Sequence, residues 1–169
     1  CGPTSVLVGL NTAFDANHRV VGLTARCATL VYDNATGQVR IGPVQTGLPS
    51  EGGQPILYTQ TIACTADAVL VGVEGFAGAF VPDPADLRVF DRFGLHCGSV
   101  MRADGTVVPE DVGTITQDVP TPDDLVDTNQ VFQSVRCPTG TVLNGFLTSG
   151  GGHRDHLDLI CVQVRLIPQ

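Results

Sequence analysis

Apolar residues along this chain gather in short runs that alternate with polar ones or stop at glycine, and helix signals are scarce. Val69-Leu70-Val71-Gly72-Val73 is one such run, too short for a helix and bounded by turn residues, so it predicts a buried strand. The same run recurs as Val6-Leu7-Val8-Gly9-Leu10 and as Val142-Leu143-Asn144-Gly145-Phe146, with Val, Leu and Gly at identical offsets. Each copy follows a cysteine after a short polar gap: Cys1, Cys64 and Cys137. Each is followed by a period-two stretch ending on a second cysteine: Leu23 and Ala25 before Cys27, Phe93 and Leu95 before Cys97, Leu157 and Leu159 before Cys161. Alternation of this kind predicts half-buried strands. The repeated unit is therefore two strands joined by a loop and stapled near their far ends.

The connections between units also resemble each other. Each has an apolar strand after the cysteine (Leu30-Val31-Tyr32; Val100-Met101), a glycine turn (Asn34 to Gly37; Ala103 to Gly105) and a second strand (Gln38 to Ile41; Thr106 to Val108). A polar, proline-rich stretch is expected next, and then Gln60-Thr61-Ile62-Ala63 or Gln133-Ser134-Val135-Arg136 leads into the next cysteine. The first unit lacks such a lead-in strand. The tail Val162 to Ile167, with Val162, Val164 and Leu166 alternating, is expected to return as a strand that covers the exposed edge. Three units, about 1–50, 51–120 and 121–169, then share one domain spanning 1–169.

Cysteine usage adds a compartment to this picture. Six cysteines in three like pairs select Cys1–Cys27, Cys64–Cys97 and Cys137–Cys161 as disulfides, and disulfides point to secretion or the cell surface. No CxxC pair presents two thiolates to a zinc ion, and no cofactor is expected. No signal peptide is present and the numbering starts on Cys1, which predicts a mature or trimmed chain. A lipidated Cys1 is the competing fate, since an acylated sulfur does not bridge to Cys27. Seventeen carboxylates against nine arginines repel nucleic acid and anionic membrane surfaces. No apolar run approaches the roughly 18 residues of a membrane helix, so no membrane insertion is expected.

A cysteine, a polar gap, an apolar strand ending in Gly, a variable loop and an alternating strand into a second cysteine, three times over, resembles vitelline membrane outer layer protein I. Asp91-Arg92-Phe93-Gly94-Leu95-His96-Cys97 is similar to that family's second-half strand, and Cys137-Pro138-Thr139-Gly140 to its first-half turn. Gly52-Gly53 before Ile56 resembles the Gly-Gly turns of jacalin-type lectins, which share the fold. The relationship is distant and architectural, and the chain departs from the family in having no tryptophan. The resemblance implies an all-β, β-prism-like body: three antiparallel sheets around a common core with a pseudo-threefold internal repeat.

Candidate chemistry is confined to loops. Gly150-Gly151-Gly152-His153-Arg154-Asp155-His156 sets two imidazoles and a carboxylate after a glycine run. Its HxDH core lacks the further His of a metallo-hydrolase signature, because Gly151 stands there. Arg154 and Asp155 instead supply adjacent donors and acceptors suited to sugar hydroxyls. His18 and Arg19, beside Asp15 and Asn17, hold the matching loop of the first unit. Asp83 and Asp86, with Asp123, Asp124 and Asp127, have no EF-hand spacing, and no serine lies in a GxSxG elbow. Asn34-Ala35-Thr36 matches a glycosylation acceptor.

Together these residues predict a secreted, non-catalytic, lectin-like domain that takes a glycan or a matrix or cell-surface component through His153, Arg154, Asp155, His18 and Arg19. The alternative is a structural subunit of an extracellular coat, surface layer or filament, self-associating through an open sheet edge.

Overall fold

The computed structural model describes residues 1–16, 20–51, 55–79, 88–103, 106–117, 131–149 and 156–164. Among them are ten strands and no helix: β1 (Ser5–Phe14), β2 (Val20–Asp33), β3 (Gln38–Glu51), β4 (Tyr58–Ala63), β5 (Ala68–Ala79), β6 (Arg88–Ala103), β7 (Thr106–Gln117), β8 (Val131–Arg136), β9 (Val142–Ser149) and β10 (His156–Val162). They form three antiparallel sheets in the orders β3-β2-β1-β4, β7-β6-β5-β8 and β10-β9. The first two sheets have identical connectivity, and the third repeats their central hairpin. β1, β5 and β9 pack against one another, so the three sheets close around one interior.

The repeat seen in the sequence has a local cause. In β1 the ladder runs Leu7 to Cys27 and then Gly9 to Arg26, leaving Val8 as an extra residue. β5 does the same with Leu70 to Cys97 and Gly72 to His96, and β9 with Leu143 to Cys161 and Gly145 to Ile160. This one extra residue, present in each of β1, β5 and β9, changes the parity of the strand. Leu7 and Leu10, three apart, therefore face the same cluster, which also holds Leu23, Leu70, Val73, Leu95 and Leu143. Val6, Val8, Val69, Val71 and Val142 form a second cluster, against which Leu30, Val100 and Val164 pack at equivalent positions after each closing cysteine. Each fully buried Leu contributes on the order of 1.5 to 3 kcal/mol of transfer free energy.

The three bridges are Cys1–Cys27, Cys64–Cys97 and Cys137–Cys161, with Cα separations of 5.5, 5.7 and 5.6 Å. The Cys1 sulfur is thus occupied, which removes the lipidated alternative. The bulges also dock the lead-in strands: the Cys64 N–H donates to Val8 O (2.9 Å) and the Cys137 N–H to Val71 O (2.7 Å).

One expectation needs correction. The second strands do not end at Ile41 and Val108 before a proline-rich stretch: β3 runs on to Glu51 through Pro43 and Pro49, and β7 to Gln117 through Pro109. Among the described residues both strands pair on one side only, so a proline there deletes no second ladder. Of the tail expected as a strand, Val162 ends β10 and Val164 packs into the second cluster. Arg165 to Gln169 lie outside the described residues.

Candidate functional site

The last ladder pairs of the three central hairpins are Phe14 with Val20, Ala79 with Arg88 and Ser149 with His156. Leu7, Leu70 and Leu143, at equivalent positions of the three hairpins, meet in one cluster. His18 and Arg19, between β1 and β2, and His153, Arg154 and Asp155, between β9 and β10, lie outside the described residues.

What is described at this end is an aromatic and acidic corner in the first unit. Phe14 and Tyr58 are cross-strand partners, with ring centroids 4.9 Å apart and planes 21° from parallel. The Leu57 N–H donates to Phe14 O at 2.7 Å, holding the entry to β4 against the end of β1. Asp15, only 6% exposed, follows Phe14. Burial raises the Tyr58 phenol above its ordinary value, and the negative charge of Asp15 adds to the effect. Sequence reading placed Asp15 beside His18 and Arg19 but missed Tyr58, whose neighbour across the sheet is 44 residues earlier and visible only once β4 pairs with β1.

A second polar group lies on the middle sheet. His96, 3% exposed, sits beside Glu74, Ser134 and Arg136, drawn from β6, β5 and β8. Arg136 Nη2 lies 2.9 Å from His96 Nδ1, and a guanidinium only donates, so Nδ1 is the accepting nitrogen. Nε2 then carries the hydrogen, directed at Ser134 Oγ (2.8 Å) and Glu74 Oε2 (3.2 Å). With its proton already on Nε2, neutral His96 does not take one from Ser134, which argues against a serine nucleophile here. Gly94 leaves the room for this arrangement, since a Cβ there falls 2.7 Å from Glu74 Cγ. The first unit carries Asn11, Arg26, Thr61 and Ala63 at the matching register, and Thr61 Oγ1 donates to Asn11 Oδ1 at 2.9 Å. That shared polarity was the available sequence signal.

A third feature is a cleft of about 530 Å³ between the first and third sheets. Gln45, Thr46 and Gly47 of β3 form one wall, and Gly145, Phe146 and Ile160 the other, with Cys1 and Gly2 between them. Asn144 Nδ2 donates to Gly2 O (3.1 Å) and Ser5 O (2.7 Å), fixing the first residues of the chain beside β9.

No family model and no curated protein matches the chain. Among solved structures it is similar to the agglutinin of Calystegia sepium, with a TM-score of 0.57 and 16% identity over 96% of this chain and 86% of that one. It is also matched to artocarpin in complex with a mannopentose, at a TM-score of 0.48 and 13% identity over 95% and 86% of the two chains. Both are jacalin-related lectins. At such identity the first likeness establishes architecture alone: the chain is a β-prism of the jacalin type, with one disulfide in each repeat. The finer resemblance to vitelline membrane outer layer protein I is not confirmed by these matches.

Proposed function

We propose that this chain is a secreted, carbohydrate-binding, lectin-like domain that acts without catalysis. The observation that carries the reading is the jacalin-type prism, with the stacked Phe14 and Tyr58 at the end of its first hairpin. The partly exposed Tyr58 ring supplies an apolar face on which a sugar can stack. His18 and Arg19 from the same loop, and His153, Arg154 and Asp155 from its counterpart, complete the proposed site. Three disulfides suit the oxidising space where such a domain works.

A glycan array tests this directly, using the intact chain with Tyr58→Ala, Arg154→Ala and Asp155→Ala as controls. Binding to a defined glycan set that falls at least tenfold in these variants is the expected outcome. Absence of any bound glycan, or binding indifferent to all three changes, overturns the proposal. The second reading, a coat or filament subunit assembled by strand pairing, is favoured by the exposed Leu147 and Ile160 on the outer face of the third sheet. Light scattering across a concentration series separates it, since assembly requires mass to grow with concentration.

A further inference from the structure

The turn between β2 and β3 carries chemistry that carbohydrate recognition does not use. Asp33 ends β2 and Gln38 begins β3, and the two form the last ladder pair of that hairpin. Asp33 shapes the residues between them. Its carboxylate accepts the Ala35 N–H at 2.9 Å and the Thr36 N–H at 3.3 Å, and its carbonyl accepts the Gly37 N–H at 2.8 Å. Gly37 takes a φ of 69°, which lets the chain reverse. Asn34, Ala35, Thr36 and Gly37 are all exposed. An asparagine with a hydroxyl residue two places on thus stands at the tip of a hairpin, in a solvent-facing turn.

The same spacing occurs nowhere else in the sequence. Asn11, Asn17, Asn129 and Asn144 have Ala13, Arg19, Val131 and Phe146 two places on, none of which carries a hydroxyl. The matching turn of the second unit, Ala103-Asp104-Gly105-Thr106, has no asparagine. Place matters as much as spacing. β2 runs from Val20 to Asp33, so about 40 Å of strand, at roughly 3.3 Å per residue, separates this turn from the hairpin end at Phe14 and Val20. A bulky group on Asn34 therefore leaves Tyr58 and its neighbours clear. Val31, three residues before Asn34, is 51% exposed, so such a group stands within reach of an apolar side chain that the fold leaves in water.

We propose that Asn34 is an N-glycosylation site, its glycan projecting from the far end of β2. The donor class is an oligosaccharide joined through a pyrophosphate to a polyprenol. Asn34 Nδ2 attacks the anomeric carbon and forms the C–N bond. The anomeric C–O bond breaks with its electron pair leaving on the lipid pyrophosphate, and Nδ2 gives up one of its two protons to a base of the transferase. Thr36 supplies the hydroxyl that the acceptor pattern requires at this spacing. In the folded turn that hydroxyl is bonded to Asp33, which places the transfer before the hairpin closes. The inference rests on the secreted reading, because attachment takes place along the route on which the three bridges form, and it is independent of what the chain binds.

The test expresses the full chain behind a secretory leader in a eukaryotic host and reads its intact mass, bridges oxidised, before and after peptide N-glycosidase. A mass above that of the polypeptide is expected, removed by the enzyme with conversion of Asn34 to aspartate. Asn34→Gln and Thr36→Ala are each expected to give the bare polypeptide, and Thr36→Ser, which keeps the hydroxyl, to retain the glycan. All three changes lie in an exposed turn, so the variants are expected in the medium with the same bridges. Wild-type chain in the medium at the bare mass overturns the proposal and leaves the secreted reading standing. A glycan that persists in both Asn34→Gln and Thr36→Ala also overturns it. Chain retained in the cells with free thiols and no glycan overturns the proposal and the secreted reading together.

Discussion

Replacing each of Gly9, Gly72 and Gly145 by alanine puts the threefold argument to a quantitative test. In a regular element Gly→Ala stabilises by roughly 0.4 to 1 kcal/mol, chiefly by narrowing the unfolded ensemble. At Gly72 the new methyl meets Val135 O at 2.5 Å and Arg136 Cα at 2.9 Å, and both are backbone atoms that move only if β8 separates from β5. Overpacking of that kind costs about 1 to 3 kcal/mol. The net loss at Gly72, and by the same geometry at Gly9, is about 1 to 2 kcal/mol. At Gly145 no atom comes closer than 3.6 Å, so only the entropic gain remains. For a chain of this size one kcal/mol moves the thermal midpoint by roughly 2 to 4 °C. Gly9→Ala and Gly72→Ala should each melt about 2 to 8 °C lower, and Gly145→Ala unchanged to about 4 °C higher. Differential scanning calorimetry under non-reducing conditions reads all three. A fall in Gly145→Ala as large as in Gly72→Ala refutes the reasoning, because it would mean that these glycines serve something other than the approach of a fourth strand.

Other consequences follow from particular side chains. Thr12 is buried with no hydrogen-bond partner for Oγ1 among the described residues, so Thr12→Val removes an unsatisfied hydroxyl and should stabilise by about 1 kcal/mol in denaturant unfolding. Replacing Cys64 and Cys97 together by serine opens the bridge of longest sequence separation, 33 residues, and should cost between about 3 and 4 kcal/mol by the same measurement. The folded Tyr58 phenol holds its proton more tightly than the unfolded one, which is half ionised at pH 10.0. Stability is therefore unaffected by this group below that pH and falls as pH rises through the folded value. Melting between pH 8 and 11 should show that alkaline loss reduced in Tyr58→Phe, and an unchanged profile contradicts the assignment.

The order of residues determined what is local in this protein. Val-Leu-x-Gly at a constant distance from a cysteine, with period-two alternation into a second one, specifies a bulged hairpin and its own staple, because both partners lie within one unit. Three such units bury apolar stripes that none covers alone, and the prism follows. Proline misled for a physical reason. Whether Pro43, Pro49 and Pro109 break a strand depends on whether its far side must be paired, and that is a property of the sheet order, not of the dipeptide. The same holds for the polar group at His96, whose contacts with Ser134 and Arg136 span 38 and 40 residues and exist only because β5 lies between β6 and β8. Tyr58 beside Asp15 and the cleft between β3 and β9 are likewise products of assembly. Pattern within a unit sets its strands and its bridge through short-range sterics; which strand is an edge, and which side chains meet across sheets, is decided when the three units close on one core.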